Sequence, residues 1–497
     1  MKKLVKTTCV PFVAVVLFLS LAFAAAAASE TQKPGGEAVS PAPESAQVVG
    51  QIGDYVITKD ELREKVLSEI RPRGDEDTPK GPVTAEAVLR TMIAEKAMMM
   101  EGRKQDLLND ALLKGYIDRT RQRKLVGLLL TDYLEKTLTV RDAEIDQAVK
   151  ANPKLSREQA KVRVQQAKAR PLLERYYGQL VQKFHLKKVK ENFAKVSTIH
   201  NRLLLKPKEK RRESWIKNAQ VREELTAAEK ALALATYDGG KVTLEDWFKT
   251  LCDIVPPRRP RDVGTAQGVE KLLENTLRPI IFAVEARAQG YDKNKKLLRE
   301  IRELEDRSLL GKVRGEKIRD VAEPNDAQIK AYFEANKEAF GKSASLKVDQ
   351  FWCEDLKAAQ KAKAMLADGK DFAAVKEACA AEKSDRPSTL YASGEGVFWD
   401  KLWKGDPNEV VGPVKGFYGT GIVWRLVKIV EKTPAETQPY SDNVKSRVKW
   451  AIVAQRRQKI LDAYEKELLE KYSHKLYAER IKDIDPLEVT GLPKASR

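Results

Sequence analysis

The strongest constraint on this chain is that it repeats itself. VVGQIGDYVITKDEL, from Val48 to Leu62, returns as LATYDGGKVTLEDWF, from Leu234 to Phe248. VLRTMIAEKAMMMEGR, from Val88 to Arg103, returns 184 residues later as LLENTLRPIIFAVEAR, from Leu272 to Arg287. At the same offset Leu125-Val126-Gly127 returns as Leu309-Leu310-Gly311, and VRDAEIDQAVKAN returns as PNDAQIKAYFEAN from Pro324. Four segments at a near-constant offset predict one module built twice. Each copy opens as a short strand, a turn, a second strand ending in a threonine cap, and a helix start. Two later helices also match: RPLLERYYGQLVQKF at Arg170 to Phe184 and QKILDAYEKELLEKY at Gln458 to Tyr472.

Beyond these segments the two copies diverge. After the second comes a strand (SLKVDQFWC from Ser345), a helical stretch (EDLKAAQKAKAMLADGKDFAAVKEA) and a Gly/Ser-broken turn (STLYASGEGVFW). The stretch closes on GPVKGFYGTGIVWRLVKIVEK, whose alternation suits strands. The predicted fold class is therefore α-rich and multidomain, α plus α+β, with a small α/β domain inserted in the second copy only.

At 497 residues the chain exceeds one ordinary core. Residues 1–29 carry three lysines, an apolar run and an alanine tail, the three parts of a secretory signal. An uncleaved leader would instead hold the chain at a membrane. Residues 30–47 read as a flexible Pro/Gly/Ser/Ala tether. The expected divisions are then 48–185 (copy one), 186–230 (a basic helical bridge), 231–340 (copy two), 341–433 (the insert) and 434–497 (a C-terminal helix completing copy two). The net charge of +19 falls to +16 without the leader. Lys/Arg and Asp/Glu are closely mixed, which suits solvated helix faces rather than a nucleic-acid partner. Anionic clients or a negative membrane surface would benefit from it. Cys252, Cys353 and Cys379 show no metal spacing, although Cys353 and Cys379 share the small domain and could pair. No metal or cofactor is expected.

The insert resembles the parvulin (PpiC-type) family of peptidyl-prolyl isomerases in the order strand, helix, G-K-D-F-A, glycine turn, G-P-V and closing strand. The repeated unit resembles the N-terminal helical module of SurA and PrsA chaperones, through G-D-x-x-I-T and then E-A-x at a helix end. In that family a long helix after the isomerase domain folds back to complete the helical module. Rotating an X-Pro bond means crossing a barrier of about 18–20 kcal/mol, which needs a dry pocket and polar groups favouring the twisted amide. The parvulin resemblance implies two strand histidines, an adjacent Cys or Asp, and an apolar Met/Phe shelf. The first histidine position is Gln350 here, the acid position falls near Asp385, and the last falls at Gly421 or Ile422. No histidine lies between Gly341 and Thr433, and DKLWKGDPNEV stands where the shelf would be. Trp352, Phe372, Trp399, Phe417 and Tyr418 are candidate substrate-binding aromatics. Met92, Ile93, Met98, Met99 and Met100 could form a soft client patch or plain core.

The resemblance implies an exported chaperone, periplasmic or otherwise extracytoplasmic, that binds unfolded or nascent exported polypeptides and carries a depleted isomerase site. Two alternatives stay open. One is an active isomerase with a substituted polar network at Gln350 and Asp385. The other is a non-enzymatic surface protein whose basic bridge binds anionic polymers.

Overall fold

The computed structural model describes residues 48–71, 83–205, 215–383, 388–419 and 421–490. The expected leader and tether lie outside the described residues.

Both repeats open the same way for the same physical reasons. Strands β1 (Val48–Ile52) and β2 (Tyr55–Thr58) form a hairpin whose turn passes through Gly53 at φ +51°, a conformation suited to glycine. Thr58 then caps α1 (Lys59–Ile70): its hydroxyl accepts from the Glu61 N–H, and the Glu61 carboxylate accepts from the Thr58 N–H. Helices α2 (Ala85–Lys104), α3 (Ala111–Thr137), α4 (Asp142–Ala151) and α5 (Arg157–Lys183) follow. Next come β3 (Lys187–Lys188), α6 (Phe193–Leu205) and α7 (Asn218–Glu224). The pattern then restarts with β4 (Ala233–Tyr237), a turn through Gly239 at φ +90°, and β5 (Gly240–Thr243). Thr243 and Asp246 form the capping box of α8 (Leu244–Asp253), which leads to α9 (Ala266–Ala288), α10 (Lys295–Lys317) and α11 (Asp326–Ala335). The insert runs β6 (Ser345–Trp352), α12 (Leu356–Ala367), α13 (Phe372–Cys379), β7 (Glu382–Lys383), β8 (Ser388–Tyr391), β9 (Val410–Tyr418) and β10 (Gly421–Thr433). Helix α14 (Asp442–Lys471) and β11 (His474–Leu476) close the chain.

The described residues divide into two compact units: those within 110–305 form one, and those within 48–109 and 306–490 form the other. In the first, β3 extends the β4–β5 hairpin, and α9 packs against α3, α5, α6 and α8. Trp247 and Phe248 are fully buried, and the Trp247 indole N–H donates to the Val269 carbonyl at 3.1 Å. Tyr133 stacks on Tyr176 with centroids 4.1 Å apart, and Phe282 fills the space beside Tyr176 and Tyr177.

In the second unit, β11 extends the β1–β2 hairpin and α14 packs against α2. Its core joins Val49, Leu89, Ile93 and Met98 to Val313, Tyr464 and Leu468. Gly102 permits the approach of α10, since a methyl there would lie 3.0 Å from Leu309. The Glu101 carboxylate accepts from Lys471 at 2.8 Å and Tyr472 at 2.6 Å, and these two bonds hold its pKa down to about 2. The first half of α14 packs on α11 through Val444, Val448, Ile329 and Phe333.

These units differ from the expected blocks. The hairpin at residues 48–58 is completed by α14 and β11, whereas the hairpin at 233–243 is completed by α5 and β3. The two closing helix–strand pairs carry the same apolar pattern, so the pattern alone does not choose between them. The methionine segment is core rather than a client patch. Met98 is fully buried, Met99 nearly so, and Met92 and Met100 pack against the same cluster.

Candidate functional site

The small sheet has the order β7-β6-β10-β9, with β8 also pairing β6. Alternation along β6 sends Leu346, Val348, Gln350 and Trp352 to one face and Phe351 to the other. Leu346 and Val348 pack with Val427 and Ile429 of β10, whereas Phe351 packs with Phe372, Val375 and Leu426.

On the Gln350 face lies a polar centre that sequence reasoning missed. Arg425 of β10, paired in register with Trp352, is 1% exposed. Its guanidinium grips the Glu395 carboxylate through both terminal nitrogens, Nη2 to Oε2 and Nη1 to Oε1. Nη1 also donates to the Gln350 side-chain oxygen at 2.8 Å, and the Gln350 amide donates to the Ser388 hydroxyl at 3.2 Å. The cation lies 5.0 Å from the Trp352 ring centroid, and Tyr418 flanks that ring at 5.1 Å. Gly416 on β9 makes the room: a Cβ there would fall 2.4 Å from the Arg425 Nε. That Nε–H has no partner among the described residues.

The structure thus brings Gln350, Trp352 and Tyr418 together around Arg425. The other candidates lie elsewhere. Phe372 is on the opposite face, 5.4 Å from Phe351. Trp399 stacks on Trp403 at 5.3 Å beside the Leu346–Val348 cluster. Phe417 meets Phe398 at 5.0 Å and packs toward the helical core, with Arg71 over its ring. Asp385 lies outside the described residues. At the last carried-over position, Ile422 is buried, and its N–H and C=O both pair with Thr490 of the C-terminal tail. Cys353 and Cys379 are free thiols in one cluster, and burial pushes the Cys353 thiol up to about 12. One sequence signal could have exposed the centre: Arg425 is the lone charge in GIVWRLV, an apolar strand whose interior would need an acidic partner. Glu395 sits in the glycine turn of the same small domain.

Residues 324–446 match the family model described as the PPIC-type PPIASE domain. Over that segment the chain is similar to PpiC-type peptidyl-prolyl isomerase domains. No curated protein matches the chain. Among solved structures, a SurA-like chaperone of Campylobacter jejuni aligns at 14% identity and TM-score 0.25, covering 49% of this chain and 98% of that one. The foldase PrsA of Streptococcus pneumoniae aligns at 16% identity and TM-score 0.23, covering 46% and 81%. PrsA of Bacillus cereus aligns at 18% identity and TM-score 0.21, covering 51% and 97%.

Proposed function

We propose that this protein is an exported chaperone of the SurA/PrsA type that holds unfolded or newly exported polypeptides, and that its parvulin-like domain serves as a grip rather than a catalyst. The observation that carries this reading is an open groove of about 1490 Å3 in the second unit. Tyr332 of α11, Phe340 of the 3-10 turn after it and Arg447 of α14 wall it, the crossing segments contribute Lys342 and Glu436, and Tyr391 at the end of edge strand β8 completes it. An aromatic wall beside an edge strand is what an extended polypeptide needs, main chain along the outer edge and side chains on the rings. Trp450, on the same α14 but outside the groove lining, is 61% exposed, a large apolar side chain presented to solvent.

The loss of catalysis rests on the polar centre. Where family members carry histidines, Gln350 is committed to Arg425 and Ser388, and the cation is committed to Glu395. A buried ion pair of fixed geometry cannot follow a twisting amide, and its Nε–H, unpartnered among the described residues, lies against Gly416 of β9. The test is suppression of client aggregation by residues 30–497 at stoichiometric ratio. Wild type should slow it, and Trp450→Ser should weaken that effect with an unchanged melting profile. No suppression by the wild type would end the proposal.

The family match over residues 324–446 favours a second reading, an isomerase working through the substituted network. Exchange NMR on X-Pro peptides separates the two. Acceleration well above an albumin control would select the isomerase, and peptide line broadening without acceleration would select the grip.

A further inference from the structure

The positive charge of this chain is concentrated in one unit. Residues 110–305 hold 42 Lys and Arg against 27 Asp and Glu, a surplus of 15. All other residues together hold 49 against 45, a surplus of 4 that includes the three leader lysines. Solvated helix faces explain mixed charge. They do not explain why one compact unit carries nearly all of the excess.

Within that unit a basic and apolar surface is built on α3. Leu112, Tyr116, Arg119 and Arg123 follow one another at spacings of four, three and four residues, which places them on a single face of the helix. All four are exposed, Leu112 at 64% and Tyr116 at 48%. Asp253 at the end of α8 faces the two arginines: burial raises its carboxyl while Arg119 and Arg123 pull it down. The loop after Asp253 presents Val255, 56% exposed, and then the exposed Arg258 and Arg261. Arg259 braces this loop from below, its guanidinium donating to the carbonyls of Ile254 and Ile216 at 2.9 Å each and of Cys252 at 3.5 Å. The result is three exposed apolar side chains among four outward arginines, with Asp253 facing Arg119 and Arg123, and Asp118 paired with Lys114 and Arg121.

We propose that this face docks the unit on an anionic lipid bilayer. A short acidic peptide would neutralise only a local patch. A surplus spread over a whole unit matches an extended plane of negative headgroups, with arginines at phosphate level and Leu112, Tyr116 and Val255 entering the interfacial layer. No described helix is long and apolar enough to cross a membrane, so attachment here is peripheral. The inference is independent of what the groove in the other unit binds.

The test is co-sedimentation of residues 30–497 with vesicles of phosphatidylcholine alone or mixed with phosphatidylglycerol. Binding is expected only to the anionic vesicles and should fall steeply with salt. At about fivefold per arginine lost from a lipid surface, R119Q with R123Q should weaken binding about 25-fold. Leu112→Ser with Tyr116→Ser should weaken it at unchanged charge. Lys150→Gln with Lys154→Gln, exposed lysines of α4 and the loop after it, removes the same net charge away from the face and should cost much less. Equal loss in the two charge pairs would overturn the assigned face. Retention by soluble polyglutamate or heparin without vesicle binding would overturn the lipid surface in favour of a polyanion.

Discussion

Glu395→Gln isolates the ion pair at the centre of the parvulin-like domain. The substitution keeps shape and one acceptor oxygen but removes the charge that neutralises Arg425. The side chains of this pair are 1% and 9% exposed, so water cannot replace the lost partner. Breaking a buried pair from one side costs about 3–5 kcal/mol, most of it the penalty of a buried charge left unpaired. Gln350 and the Trp352 ring remain in contact with the guanidinium, which places the expected cost near the lower end, about 3 kcal/mol. A two-unit chain does not unfold as one transition, so the readout is native-state amide exchange in β6 and β10, which reports the opening of this sheet alone. Protection at Phe351, Leu426 and Val427 should fall by about two powers of ten, while α2 and α9 stay unchanged. Arg425→Met combined with Glu395→Leu should recover most of the loss, because an apolar pair of similar volume leaves no charge to desolvate. A loss below about 1 kcal/mol for Glu395→Gln, or a double variant worse than the single, would show that the pair is not what holds this face together.

The same reasoning gives two further outcomes. Gly416→Ala would set a methyl 2.4 Å from the Arg425 Nε, a position the short methyl cannot leave, so the guanidinium must move off Glu395 and Gln350. Exchange in β9 and β10 should report a destabilisation of about 1–3 kcal/mol, and an unperturbed sheet would refute the fit. Glu465 on α14 is raised from 4.5 to about 7, chiefly by burial, with Arg314 and Lys65 pulling it down and Asp462 and Glu95 pushing it up. Its folded-state pKa lies above its unfolded value, so the folded unit binds the extra proton. The stabilisation is complete below about 4.5 and is lost as pH rises toward 7. Glu465→Gln should flatten the pH dependence of α2 and α14 exchange protection across that window, and an unchanged slope would remove Glu465 from the account.

Local structure was legible because its causes are local. Thr58 with Glu61 and Thr243 with Asp246 are capping boxes within four residues, and the strand–helix–turn–strand order of the insert appears where its periodicity places it. The period of two also separates Gln350 and Trp352 from Phe351, and hence from Phe372, a division that a collective list of aromatics blurred. What was not legible depended on distant pairing. Arg425 and Glu395 are 30 residues apart and announce themselves only by a charge inside an apolar strand. Which closing helix completes which hairpin was hidden for a different reason. The two candidates present the same apolar face, and the choice is made by connections that leave no pattern in the sequence.

That choice sets a schedule for a chain that leaves the ribosome or a translocation pore from its N-terminus. The hairpin at Val48–Thr58 emerges long before the strand that finishes its sheet, His474–Leu476. In the interval residues 110–305 are complete and can close on themselves, since every strand and helix they need is contiguous. The first hairpin waits through more than 400 residues of synthesis with an open sheet edge and an uncovered apolar face, the kind of surface that draws other chains. For that period the first hairpin is exposed to pairing with other chains, while the middle unit can already be folded.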